Sequence, residues 1–224
     1  MSARAEIFAD IRRALGVNGA EAPRRRAVED RLEHAPKGVI PAHGQVDAGS
    51  RKTLFRAEAE RVFATVAQVD HAGDVPSEVA TYLRDRNLPA KLRAGADPLL
   101  AAMPWQATHL EISYGSSDGN DAVGLSHAFG AVAESGSLVL VSGQANPTTL
   151  NLLPETHIVV VAAADIVGDY EEIWRRLRAA YGKGVMPRSV NFITGPSRSA
   201  DIGQKMQLGA HGPRDLHIII VGEE

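Results

Sequence analysis

In His157-Ile158-Val159-Val160-Val161-Ala162-Ala163, every residue after the histidine is a branched or small apolar one, with no polar residue on alternate positions. A strand that shows one face to water alternates apolar and polar residues. An unbroken branched run of this length fits a strand covered on both faces, as in the middle of a parallel sheet. A second such run spans 137–141 and a third spans 216–221, with a shorter one at 190–194. Between 163 and 190, Ile173, Trp174, Leu177 and Tyr181 recur at helical spacing over 169–181, and Gly182 stands as a stop. Strands separated by helices predict an α/β sandwich with a largely parallel sheet.

Upstream the pattern weakens. The spacing of Phe55, Ala59, Val62, Phe63 and Val66 predicts one helix over 50–69. Pro76 opens another that runs to about Arg86, and 96–103 reads as a short helix. Residues 90–92 and 109–113 are expected as weak strands, and 118–130, rich in Gly, Asp and Ser, as a loop with one helical turn. At the start, Phe8, Ile11 and Leu15 form an apolar stripe that Gly16 closes. Residues 17–49 dissolve into Gly, Pro, Ala and charge, including Arg24-Arg25-Arg26. The expected organisation is an N-terminal helical arm and linker over 1–49, then one α/β domain over 50–224.

Composition narrows the function. Of 224 residues, 44% are hydrophobic and 23% charged, the balance of a globular protein. A formal net charge of −3 supplies no basic excess for nucleic acid. No apolar run approaches the ~20 residues that span a bilayer, and charged residues interrupt the first sixteen, so no signal peptide is expected and the chain is placed in the cytoplasm. There is no cysteine, which excludes disulfides, a thiolate nucleophile and iron–sulfur ligation by this chain. The eight histidines show no H-x-x-x-H spacing, and no metal site is expected. Dinucleotide and P-loop motifs are missing too.

Three loops gather small and polar residues beside the apolar runs. They are Glu134-Ser135-Gly136-Ser137; Gly195-Pro196-Ser197-Arg198-Ser199-Ala200-Asp201; and Gly209-Ala210-His211-Gly212-Pro213. Hydroxyls, backbone N–H groups and the fork of Arg198 suit a small anion, with Asp201 orienting the arginine or capping a helix. Ligand-binding roles are therefore expected for Ser135, Gly136, Ser137, Gly195, Ser197, Arg198, Ser199 and Asp201. Glu134 and His211 are the candidate catalytic groups. In open α/β sheets the site is expected beyond the carboxyl ends of the strands. Each loop also has a plainer reading, as a tight turn whose polar residues cap the next element.

The ordered set G-P-S-R-S-A-D-I at 195–202, G-A-H-G-P at 209–213, L-L-P-E-T-H at 152–157 and E-S-G-S-L-V-L at 134–140 resembles the LUD domain family, as does I-R-R-A-L-G at 11–16. The family usually reads A-D-T-G-S/T-L-V-L where this chain has Glu134 and Ser135, and an acidic residue where it has Gly203. The resemblance implies a three-layer fold similar to the sugar-phosphate isomerase and CoA-transferase superfamily. It implies a subunit of an L-lactate utilisation system, oxidising lactate to pyruvate beside iron–sulfur partner proteins that carry the clusters. It leaves open a homo-oligomer, a stand-alone enzyme acting on a sugar phosphate or acyl-CoA, and a non-catalytic carboxylate-binding regulator.

Overall fold

The computed structural model describes residues 2–199 and 207–222. Two compact units are found, one ending at Val39 and one beginning at Ile40. The first holds α1 (Ala3–Leu15) and α2 (Ala22–His34). Ser2 caps α1 by accepting from Ala5 N–H, and Gly16 ends it in the left-handed region at φ 64. The second helix lies where the sequence promised only linker. It has no apolar stripe and no buried residue, so periodicity had nothing to register.

The second unit begins with α3 (Ala48–Arg61), capped by Asp47, whose carboxylate accepts from Ser50 N–H. The expected helix over 50–69 is overturned. It stops at Arg61, Phe63 turns through φ 73, and β1 (Thr65–Val69) comes next. The β-branched Thr65, Val66 and Val69 pair with the last strand instead of extending the helix. Further along are α4 (Val75–Asp85), β2 (Lys91–Ala94), α5 (Pro98–Ala101), β3 (Glu111–Tyr114), β4 (Val123–His127), β5 (Gly130–Val132), β6 (Ser137–Val141), α6 (Thr148–Leu152), β7 (Thr156–Ala162), β8 (Ile166–Val167), α7 (Tyr170–Tyr181), β9 (Val190–Ile193), β10 (Arg198–Ser199), β11 (Gln207–Leu208) and β12 (Asp215–Val221).

Six strands form one parallel sheet in the order β1-β12-β7-β4-β2-β3. A second sheet, β8-β5-β6-β9, is mixed, with antiparallel β5–β6 and β6–β9 pairs. Alternation along β7 divides the core. Ile158 and Val160 face Val79, Leu83 and Leu100 of α4 and α5. Val159 and Val161 face Phe55 and Ala59 of α3 together with Leu138 and Leu140 of β6. The result is the expected three-layer α/β sandwich: helices, parallel sheet, then a layer of α3 and the small sheet. Ile173 and Leu177 of α7 cover the outer face of that small sheet.

The strand β4 corrects the expectation of a loop with a helical turn at 118–130. Its residues Val123 to Ser126 are buried beside β7. The small residues that disguised it are required by packing. A Cβ on Gly124 would stand 2.8 Å from the Leu150 carbonyl oxygen and 2.9 Å from Pro154 Cγ, so only glycine lets α6 settle on the strand.

Candidate functional site

The consequence of that close approach is a polar cluster beneath α6. Gly124 stands opposite His157 in the β4–β7 register, and Ser126 projects from the same face of β4. Ser126 Oγ lies 3.0 Å from His157 Nε2 and donates to Asn151 Oδ1 of α6 at 3.2 Å. Exposures are 1% for Ser126, 0% for His157 and 1% for Asn151. Complete burial holds the His157 imidazole at a pKa of about 3, so it is neutral at physiological pH. Two atoms of this cluster, His157 Nδ1 and Asn151 Nδ2, are buried without a hydrogen-bond partner.

His157 and Asn151 stand in the wall of a cavity of ≈ 240 Å³. Phe192 to Ser197, His211 to Pro213, Leu152 and Leu216 complete its lining. Leu216 pairs with His157 in the register of β7 and β12, which places the cavity at the amino ends of these two strands. The carboxyl-end location expected from the general rule for α/β sheets is therefore wrong for this cavity. The small sheet is the reason, because the end of β9 and the loop beyond it close over the amino side. Among the described residues the wall carries no Lys, Arg, Asp or Glu, and the polar character they give it comes from neutral donors and acceptors.

A hydroxyl network adjoins one side. Thr194, a cavity residue, has its Oγ1 2.6 Å from Ser137 Oγ. Ser137 and Ser135 lie 2.8 Å from each other, and each lies 2.8 Å from the Tyr170 hydroxyl. Glycine is demanded between the serines: Gly136 has φ 66, and a Cβ there would collide with the backbone of Ala59 in α3. Asp169 caps α7 by accepting from Glu172 N–H, and its second oxygen accepts from Gln45 Nε2. Glu134 stands beside this cap with Oε2 buried and unpartnered. Burial, and then the Asp169 charge, push its carboxyl above the ordinary value. The Tyr170 N–H and His43 act in the opposite direction.

The sequence-derived candidates thus separate. Gly195, Ser197 and His211 line the cavity, and Ser197 Oγ accepts from His211 N–H at 3.3 Å. Ser135, Gly136 and Ser137 support the wall through Thr194 and α3. Arg198 does not line it. Its exposed guanidinium sits 5.5 Å from the centroid of the Phe63 ring. Ser199 is buried in β10, and Asp201 lies outside the described residues. Among the described residues no cluster of His, Asp and Glu suits a metal ion. Sequence reasoning missed Ser126, Asn151, His157, Thr194 and Tyr170. The one available signal was a histidine at the head of an otherwise apolar strand.

Comparison with known proteins matches residues 119–221 to the LUD domain. Lactate utilization protein C of Geobacillus sp. (strain WCH70) is 38% identical over 100 residues, which cover 44% of this chain and 42% of that protein. Its counterpart in Bacillus subtilis (strain 168) is 36% identical over 102 residues, covering 45% and 42%. The matched stretch therefore spans less than half the length of these relatives. A crystal structure of a DUF162 family protein from Deinococcus radiodurans superposes with a TM-score of 0.61 at 20% identity, over 79% of this chain and 99% of that one. That likeness shows a shared fold.

Proposed function

Residues 119–221 match the LUD domain family, and from that likeness we propose that the chain is the non-redox, acid-binding subunit of an L-lactate utilisation system. The observation that carries the reading is one of position: every residue lining the ≈ 240 Å³ cavity falls inside the stretch 119–221. Its volume is slightly below the ~300–1,000 Å³ of ordinary ligand clefts, which suits a molecule of few atoms. Oxidation of L-lactate to pyruvate releases two electrons and two protons. Iron–sulfur partner proteins would take the electrons, since this chain has no cysteine to ligate a cluster. Its own part is to hold the acid among neutral donors and to exclude water with Phe192, Ile193 and Leu216.

A second reading is favoured by Glu134, whose Oε2 is buried and whose carboxyl is pushed above its ordinary pKa by burial and Asp169; it is the group a stand-alone enzyme of the sugar-phosphate isomerase and CoA-transferase type would use as base or nucleophile. Affinity purification of the tagged full chain from native lysate separates the two. Recovered iron and lactate oxidation by the assembly, with none by the purified chain, is the expected result. Lactate oxidation by the chain alone, or turnover of an acyl-CoA or sugar phosphate, would overturn it.

A further inference from the structure

Given the cavity as the acid-binding site, on which this proposal rests, the unpartnered atoms of His157 and Asn151 decide which acid it takes. Ser126 has one hydroxyl proton, and it is donated to Asn151 Oδ1. Its oxygen must then accept from His157, 3.0 Å away, so the imidazole proton sits on Nε2. A neutral imidazole protonated there leaves Nδ1 as a pure acceptor. Asn151, accepting through Oδ1, is left with Nδ2 as a pure donor. Running the chain the other way, from Asn151 through Ser126 to His157, exchanges the two ends. It still leaves one donor and one acceptor, because a single hydroxyl proton separates them.

We propose that His157, Ser126 and Asn151 form a recognition relay that selects a 2-hydroxy acid over the corresponding 2-keto acid. The hydroxyl of the acid donates to the free nitrogen of His157, and a carboxylate oxygen accepts from the Asn151 amide. A keto acid brings acceptors alone and leaves the imidazole nitrogen dry and unpaired. A site that hydrogen-bonds a hydroxyl discriminates against the analogue that lacks it, because its own buried group is then stranded. Both relay atoms have almost no accessible surface in the chain as folded, so the acid reaches them by displacing part of the wall, where Leu152 is half exposed. The selectivity gives the subunit a preference for substrate over product.

Calorimetry on the purified full chain with L-lactate, pyruvate and inorganic phosphate tests this. L-lactate should bind about ten- to a hundredfold more tightly than pyruvate. Ser126→Ala, which cuts the relay, should bring the two acids to near-equal affinity. Nitrogen-15 spectra of the imidazoles supply a readout that does not depend on the variant folding. The Nδ1 resonance of His157 should move on addition of L-lactate and stay fixed with pyruvate. Equal affinities in the parent chain, or an Nδ1 signal indifferent to saturating L-lactate, would overturn the relay while leaving acid binding intact. Binding of neither acid, with lactate oxidation still recovered in the purified assembly, would overturn the relay and the cavity assignment but not the subunit role.

Discussion

Lowering the pH from 7.5 to 5 should remove about 4 kcal/mol of folding stability through two buried histidines. His157 is held near a pKa of 3 by burial alone, and His217 near 4 by burial and then the Arg86 charge. A hydrogen bond with Thr65 acts in the opposite direction but is outweighed, so the imidazole is neutral at neutral pH and does not form an ion pair with Glu78 Oε1, 3.7 Å from Nε2. Both folded values lie below the ordinary 6.5, so acid protonates the unfolded chain first and stability falls as pH drops from 6.5 towards the folded values. At pH 5 each histidine is about 1.5 units below its unfolded pKa, worth about 2 kcal/mol apiece. Glu134, shifted upwards, works against this by becoming easier to bury as it protonates. Glu58 and Glu172, both shifted down, act mainly at lower pH. Urea unfolding at the two pH values measures the loss as a change in midpoint at constant slope. His217→Phe retains a ring against Tyr82, on which His217 stacks at 3.9 Å, and should recover about half of the loss. If variant and parent lose stability in parallel, the histidines are not its source.

Packing dictates two further outcomes. Gly124→Ala should cost about 1–3 kcal/mol, read as a lowered urea midpoint, because the new methyl meets the Leu150 carbonyl and must lift α6; it should also weaken L-lactate binding by moving Asn151 away from Ser126. Arg198→Lys should leave L-lactate affinity within about twofold in calorimetry, since the guanidinium lies over Phe63 outside the cavity, and a larger loss would return Arg198 to the site.

The parallel core was legible because two of its strands are long apolar runs broken by a single histidine each: 157–163 and 216–221 could hardly be anything but covered strands. Failures cluster where a tertiary neighbour dictates the residue. Gly124 and Ser126 look like loop residues and are strand residues, because α6 needs the missing Cβ and Asn151 needs the hydroxyl. Residues 50–69 look like one amphipathic helix because Phe55 and Ala59 continue in register with Val62 and Val66. The break after Arg61 is made by Phe63 at positive φ and by the pairing of β1 with β12. Of the candidate site, the loops at 134–137, 195–197 and 211–213 were readable from small and polar composition. The strand histidine behind them left one signal, its place at the head of an apolar run, but its partners Ser126 and Asn151 left none, since only the tertiary approach of α6 to β4 brings them to it.

The distribution of satisfied and unsatisfied polar groups divides the cavity wall into a fixed side and a reactive one. On the Thr194 side every hydroxyl has a partner: Thr194 binds Ser137, and Ser137 and Ser135 share Tyr170 at the start of α7. Such a closed network holds the loop after β9 in one geometry. On the facing side, His157 and Asn151 each keep one buried atom unpaired, and an unpaired buried polar group costs about 1–3 kcal/mol. Leucine at either position would fill the space without that cost. A ligand that supplies the missing donor and acceptor would offset that cost at both positions. On the proposed reading, the rigid wall would set where the acid lies, and the unsatisfied wall which acid is held.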